Sequence, residues 1–408
     1  MTDRVDVRTT SISEALHGHR NAFGLLRLIF AALVLVDHTY PLGGFGVDPL
    51  WRLTNGQASS GTIGVVGFFV ISGYLIAKSG MATDVVQFLW RRVLRIYPGY
   101  WLVLLVGAFI VGPLVWTVGG RAFVDYFHLG GNGPVAYLTR NWTLQIGTFG
   151  IYDIFQTTTP YGRLSDSSAL NGSLWTLAYE FGCYLLIALF VVFGVLVRAR
   201  VVIPLAAALM AVVQLLKWFD PDGLLRLWPH LADPQLIALA FAFLVGASFA
   251  VYGQRIPSDD RLGVFSLLVV LVTLREGGFL IVGVVAGAYA IFWIAARAPE
   301  LLKRVGQKND YSYGVYVYGF LVQQTVAFFG GYRLGFFPFL LIAAVITAGC
   351  AWVSWHLVEK RAMKLKDRGP GRGVRFWIDR IRSIRSGRAA RAVPPHEIEG
   401  PATTDVAL

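Results

Sequence analysis

The chain has 408 residues, of which 55% are hydrophobic and only 15% charged. A soluble domain carries about 25% charged residues, so this chain lacks the polar side chains to cover a water-exposed exterior; disordered, collagen-like and disulfide-scaffold classes are excluded as well. The 36 Lys and Arg against 24 Asp and Glu give a net charge of +12, but residues 359–391 alone hold 12 basic and 3 acidic side chains. The excess therefore sits in one polar tail, whose nearest polyanion is the anionic lipid headgroup and not nucleic acid.

In chain order, residues 1–20 are polar, with no small-residue cleavage site after an apolar core, so the first apolar run is expected to remain as a membrane anchor. Apolar stretches then fall at 22–41, 61–79, 97–118, 173–197, 201–218, 234–252, 261–274, 278–296, 311–329 and 336–357. Each is near the ~20 residues that cross a bilayer, although 261–274 is short and must cross obliquely or begin earlier. The pattern predicts an all-α fold, a polytopic transmembrane helical bundle of about ten spans in a cell membrane. An even number of crossings puts both termini on one side. With the termini cytosolic, inner segments hold 27 of the 36 basic residues, the bias expected of a positive inside. The expected organisation is a cytosolic segment 1–20, a membrane domain 21–358 and a basic, largely disordered tail 359–408. Residues 119–172, rich in Gly, Thr and aromatics, are placed as a loop over the outer face, with 134–150 open to a re-entrant or interfacial helix. Cys183 and Cys350 lie in apolar runs and read as small core residues.

Ionisable residues inside spans are costly and need a reason. In FGLLRLIFAALVLVDHTYPLGG, Arg27 lies near the cytosolic end, with Asp37 and His38 near the outer end. Arg27 and His38 are eleven residues apart, about 16 Å of rise and only about 20° of rotation, so they share one stripe. Snorkelling of Arg27 and end-capping by His38 is the structural alternative. In NGSLWTLAYEFGCYLLIALF, Glu180 lies about 10 Å below Ser173, at a depth comparable to His38. A His–Glu pair can perform general-base chemistry; a buried structural hydrogen bond is the other reading. In DVVQFLWRRVLRIYPGYW, Arg91, Arg92 and Arg95 converge at helical spacing, either as ordinary inner-side arginines or as a phosphate clamp. In GVVGFFVISGYLI, Gly64, Gly67 and Gly73 allow close helix approach and Ser72 offers a hydroxyl to a cavity. No HxxxD sequence, P-loop or metal-ligand spacing occurs, so no metal is expected.

Taken together, the Arg27–His38 spacing, GVVGFFVISGYLI, FLWRRVLRIYPGYW, SLWTLAYEFGCY, YSYGVYVYGFLVQQ and WHLVEKRAMKLK resemble acyltransferase family 3, over residues 21–366. The resemblance implies an O-acetyltransferase of the bacterial inner membrane. It would take acetyl from cytosolic acetyl-CoA to a sugar hydroxyl of a surface polysaccharide, lipopolysaccharide or lipid-linked oligosaccharide. The family's functional positions map onto Arg27, His38, Arg91, Arg92, Arg95 and Glu180. The chain departs from many members in having Gly319, not His, after Tyr318. On this reading the anionic end of CoA meets Arg27, Arg91, Arg92 and Arg95, and the pantetheine arm follows the stripe to His38. Glu180 orients the imidazole, and Asp37, about 100° around the helix, is the weaker candidate for that role. Ser72, Trp175 and Tyr179 are the expected substrate contacts. A transporter with an intramembrane Arg/His/Glu pathway is the competing class.

Overall fold

The computed structural model describes residues 10–18, 21–127, 131–220 and 233–385. Among them are ten long helices: α1 (Phe23–Gly43), α2 (Ser60–Ala82), α3 (Val85–Val106), α4 (Thr176–Val192), α5 (Val202–Phe219), α6 (Pro234–Tyr252), α7 (Asp260–Glu276), α8 (Val284–Arg297), α9 (Ser312–Phe328) and α10 (Phe336–Ser354). No strand occurs among the described residues; two isolated bridges are the whole of the β pairing. Eight helices are long and apolar enough to cross a membrane. The other two, α7 and α9, have 17 residues each. All ten apolar stretches of the sequence thus coincide with helices of an all-α, multi-pass membrane protein.

Boundaries follow local chemistry. Asp84 begins α3 by accepting hydrogen bonds from the Val86 and Gln87 amides, while the Gln87 side chain reaches back to the Asp84 amide. That capping box starts the helix twelve residues before the apolar run at 97. The helix then continues through a π turn to Val118, 34 residues in all. Gly44, with φ 72°, closes α1 in the left-handed conformation that suits glycine.

The bundle is built around α2, which packs on α1 and α6, while α9 joins α1 to α10. Of the α2 span 72% is buried, against 17% for α5, so α2 is central and α5 peripheral. Leu205, Leu209, Leu216, Phe265, Leu271, Phe337 and Leu341 are exposed on the peripheral helices, the surface that hydrocarbon covers in place of water. At the α2–α6 crossing a Cβ on Gly73 would strike the Phe243 carbonyl, and one on Gly246 the Val70 carbonyl. Reciprocal glycines bring the two backbones into contact.

Between 119 and 172 no described helix exceeds the eight residues of Pro134–Asn141, so nothing described there could cross a bilayer. Asn141 knots this segment: its side chain donates to the Thr148 carbonyl at 2.8 Å and accepts from the Gly147 amide at 2.9 Å. The tail requires a correction. Its described part, to Arg385, is not free chain: it includes α11 (Gly373–Arg385) and docks on the start of α3. Val374 donates to Asp84 (3.0 Å), Gln87 to the Gly371 carbonyl (3.1 Å) and Trp90 to the Leu365 carbonyl (2.9 Å). Segments 1–9 and 386–408 lie outside the described residues.

Candidate functional site

Helices α1, α2, α3, α4 and α9 border a cavity of about 60 Å³. A water needs about 10–15 Å³ on this measure, so the cavity has room for a few waters. Arg27, Ser72, Arg92, Arg95 and Glu180 line it, with Thr176, Tyr184, Tyr313 and Tyr316. Five predicted site residues from four helices therefore meet at one place.

The three arginines of α3 do not act alike. Arg91 leaves the cavity and pairs with Asp367 of the tail at 2.9 Å, on the surface. Its expected convergence with the other two is thereby corrected, since an acid outside the bundle draws it away. Arg95, 5% exposed, donates to Asp310 at 2.5 Å and lies 3.9 Å from Glu359. Arg27 donates to the same Asp310 oxygen at 2.6 Å. The other oxygen of Asp310 accepts from the Ser312 amide at 3.1 Å and hydroxyl at 2.6 Å. Burial raises the Asp310 carboxyl, but the two guanidiniums outweigh burial and hold it at about 2. Two of the three cavity-side cations are thus neutralised from within.

Arg92 differs. It is 2% exposed, lies between the Phe88 and Tyr184 rings, and makes no hydrogen bond or ion pair with any described residue. Glu180 lines the same cavity but accepts from Ser72 Oγ at 3.3 Å and from the Tyr184 hydroxyl, without reaching ion-pair distance of Arg92. A buried guanidinium without an acid is a costly arrangement, and an anion entering the cavity would relieve it.

His38 stands apart from this cluster. It is half-buried in the C-terminal half of α1, its ring edge-on to Phe320 at 5.3 Å, and it is not among the cavity-lining residues. The expected His38–Glu180 pairing is not made; Ser72 and Tyr184 both donate to Oε1 of the carboxylate. Asp37 turns toward the start of α2, where its carboxylate meets Ser59, Gly61 and Asp48. From α9, Gln323 donates to the Leu35 carbonyl (2.9 Å) and to Thr39 Oγ1 (2.7 Å), fixing the turn that carries His38. Of the expected substrate contacts only Ser72 lines the cavity. Tyr179 donates to Asp233 at 2.5 Å at the start of α6, and Trp175 packs edge-on against it.

The sequence reading did not assign Asp310, Glu359, Tyr184, Tyr313 or Tyr316. A signal existed: arginines within spans need acids at the same end of the bundle, and Asp310 and Glu359 close the two segments that reach that end.

The arrangement is a polar chamber with a bare cation, and a histidine farther along the same stripe of α1. A family profile described as an acyltransferase domain matches residues 20–356, across all ten helices. The chain belongs to acyltransferase family 3. The acyltransferase is 30% identical over 350 residues to an O-acetyl transferase of Shigella phage Sf6, covering 84% of this chain and 95% of that one. It is 27% identical over 378 residues to nodulation protein 10 of Rhizobium leguminosarum bv. viciae, at 87% and 96% coverage. It is 25% identical over 365 residues to a Bacillus subtilis protein named as a peptidoglycan O-acetyltransferase, over 76% of this chain and 52% of that longer one. No solved structure matches the acyltransferase.

Proposed function

We propose that the enzyme moves an acetyl group from cytosolic acetyl-CoA to a hydroxyl of a cell-surface or lipid-linked glycan, in a bacterial inner membrane, with both termini cytosolic. The names of the phage and Bacillus relatives support acetyl as the group moved, and the Bacillus name supports a glycan acceptor. The observation that carries the donor half is Arg92: a buried cation with no ion pair at contact distance among the described residues, in a chamber beside Arg27 and Arg95. It fits an anionic group of CoA.

In this mechanism His38 accepts the proton of the acceptor hydroxyl as its oxygen attacks the thioester carbonyl. The new C–O bond forms, the C–S bond breaks, and the proton passes from His38 to the departing thiolate. His38 lies about 16 Å of helix rise from Arg27, a span for the donor's extended arm. Glu180, held by Ser72 and Tyr184, is assigned to the donor chamber as the counter-charge facing Arg92, and no longer to the imidazole. Asp37 is assigned to holding α1 against α2.

The test is transfer of label from acetyl-CoA by purified protein in lipid nanodiscs, with a glycan acceptor, comparing wild type with His38→Ala and Arg92→Gln. Wild-type turnover that is lost in His38→Ala and weakened at limiting donor in Arg92→Gln supports the reading. Failure of wild type to bind or consume acetyl-CoA overturns the donor assignment.

A further inference from the structure

The tail helix α11 carries a surface that the acyl-transfer reading does not use. Its sequence GVRFWIDRIRSIR places Val374, Trp377, Ile378 and Ile381 within an arc of about 100°. All four are exposed, Ile381 by 51%. Arg375 and Arg382 flank this stripe on one side and Arg380 lies toward the other. The helix is held in place: its first turn donates to Asp84, and Trp377 donates to the Gly369 carbonyl at 3.2 Å. Asp84 is also the cap of α3, so α11 sits where a membrane-spanning helix begins. Exposed Lys360, Arg361, Lys364, Arg368 and Arg372 precede it in the chain.

A helix in water gains nothing by presenting Trp and three aliphatic residues on one face. Nucleic acid would match the arginines but leave that face wet. An interface with apolar depth and negative charge at its edge satisfies both halves, and the bundle itself brings α11 to such an interface. We propose that α11 is an interfacial helix that docks on anionic lipid headgroups, with Val374, Trp377, Ile378 and Ile381 entering the acyl boundary and Arg375 and Arg382 binding the headgroup phosphates. The proposal is independent of the donor and the acceptor.

The experiment uses the full-length protein with Cys183→Ala and Cys350→Ala, carrying a fluorophore on Ile381→Cys or, on the opposite face, on Asp379→Cys. Each is placed in nanodiscs of phosphatidylcholine alone or mixed with phosphatidylglycerol. The expected result is several-fold stronger quenching of the 381 label than of the 379 label by a nitroxide attached to lipid, greatest with phosphatidylglycerol. Adding Arg375→Gln and Arg382→Gln should remove the phosphatidylglycerol increment. Equal quenching of both labels by a water-soluble agent in both lipids overturns the proposal. So does shielding of the 381 label from both quenchers, which marks a protein partner on that face. Lipid quenching that ignores both headgroup charge and the arginine substitutions overturns the anionic-lipid assignment. Circular dichroism and monodispersity of each variant separate these outcomes from misfolding.

Discussion

Arg95 and Asp310 meet at 2.5 Å although 215 residues separate them, and the Asp310 oxygen that receives Arg95 also receives Arg27. One carboxylate thus joins α1, α3 and the start of α9 at the end of the chamber. Removing its charge leaves Arg27 without a counter-ion and Arg95 with only Glu359 at 3.9 Å, and breaking a buried pair costs about 3–5 kcal/mol. Asp310→Asn should therefore lower the melting temperature in detergent sharply, and Asp310→Glu should recover part of it. The pH dependence has a definite sign. The folded carboxyl is held at about 2 against an ordinary 3.8, so this stabilisation is full above about pH 4 and disappears as pH falls toward 2. Asp310→Asn should lack that acid-limb loss. A wild-type melting temperature retained by Asp310→Asn would show that the network carries no stability.

Arg92 should behave in the opposite way. It makes no ion pair at contact distance among the described residues, so Arg92→Gln breaks no salt bridge, and the fold should be as stable as wild type or slightly more so. What it should lose is donor affinity: a charged hydrogen bond contributes about 1.5–3 kcal/mol, equivalent to a rise of about tenfold or more in the KM for acetyl-CoA. Arg95→Gln, by contrast, should destabilise, because it uncovers Asp310 and Glu359. Melting curves beside donor-dependence kinetics distinguish the two. Equal loss of stability in both variants would remove the distinction drawn between these arginines.

The sequence made the spans and the polar positions legible because both rest on local physics. Twenty apolar residues with a charge bias at their ends are visible without a fold, as are Arg27, His38 and Glu180 among them. Partner choice was not legible, since it depends on which helices meet. The i, i+3 and i, i+4 spacing of Arg91, Arg92 and Arg95 suggested one clamp, yet each has its own fate: Asp367, no acid, and Asp310 with Glu359. Glu180 was matched to His38 by depth along the membrane normal, a coordinate that ignores rotation. The structure supplies the rotation and gives Glu180 to Ser72 and Tyr184. The polar, basic tail reads as largely disordered from sequence, and its docking on Asp84, Gln87 and Trp90, nearly three hundred residues earlier, is not visible there.

The α2–α6 crossing offers a test of the packing. Gly73→Val places its side chain against the Phe243 carbonyl, and Gly246→Val against that of Val70. Backbone cannot yield as a flexible side chain would, and overpacking typically costs about 1–3 kcal/mol. Each variant should melt earlier than wild type. Gly349→Val, where an added Cβ meets nothing within 4 Å, should melt with wild type. Similar melting of all three would mean that the backbones of α2 and α6 do not touch.

His38 and Asp37 are neighbours in sequence and should separate in function. Among the described residues His38 pairs with no carboxylate and its ring lies edge-on to Phe320, so His38→Ala removes a proton acceptor while leaving the helix contacts in place. Acetyl transfer should fall by about 10²–10⁴, the usual contribution of a general base, with acetyl-CoA binding retained because the donor chamber is lined by other residues. Asp37→Asn instead disturbs the contact with Ser59, Gly61 and Asp48, so it should lower the melting temperature and reduce turnover far less. Titration calorimetry with acetyl-CoA, alongside transfer assays on both variants, reads the two effects separately. Full activity in His38→Ala would remove the histidine from the chemistry, and a loss in Asp37→Asn as deep as that expected for His38→Ala, in a stable protein, would put the acid there instead.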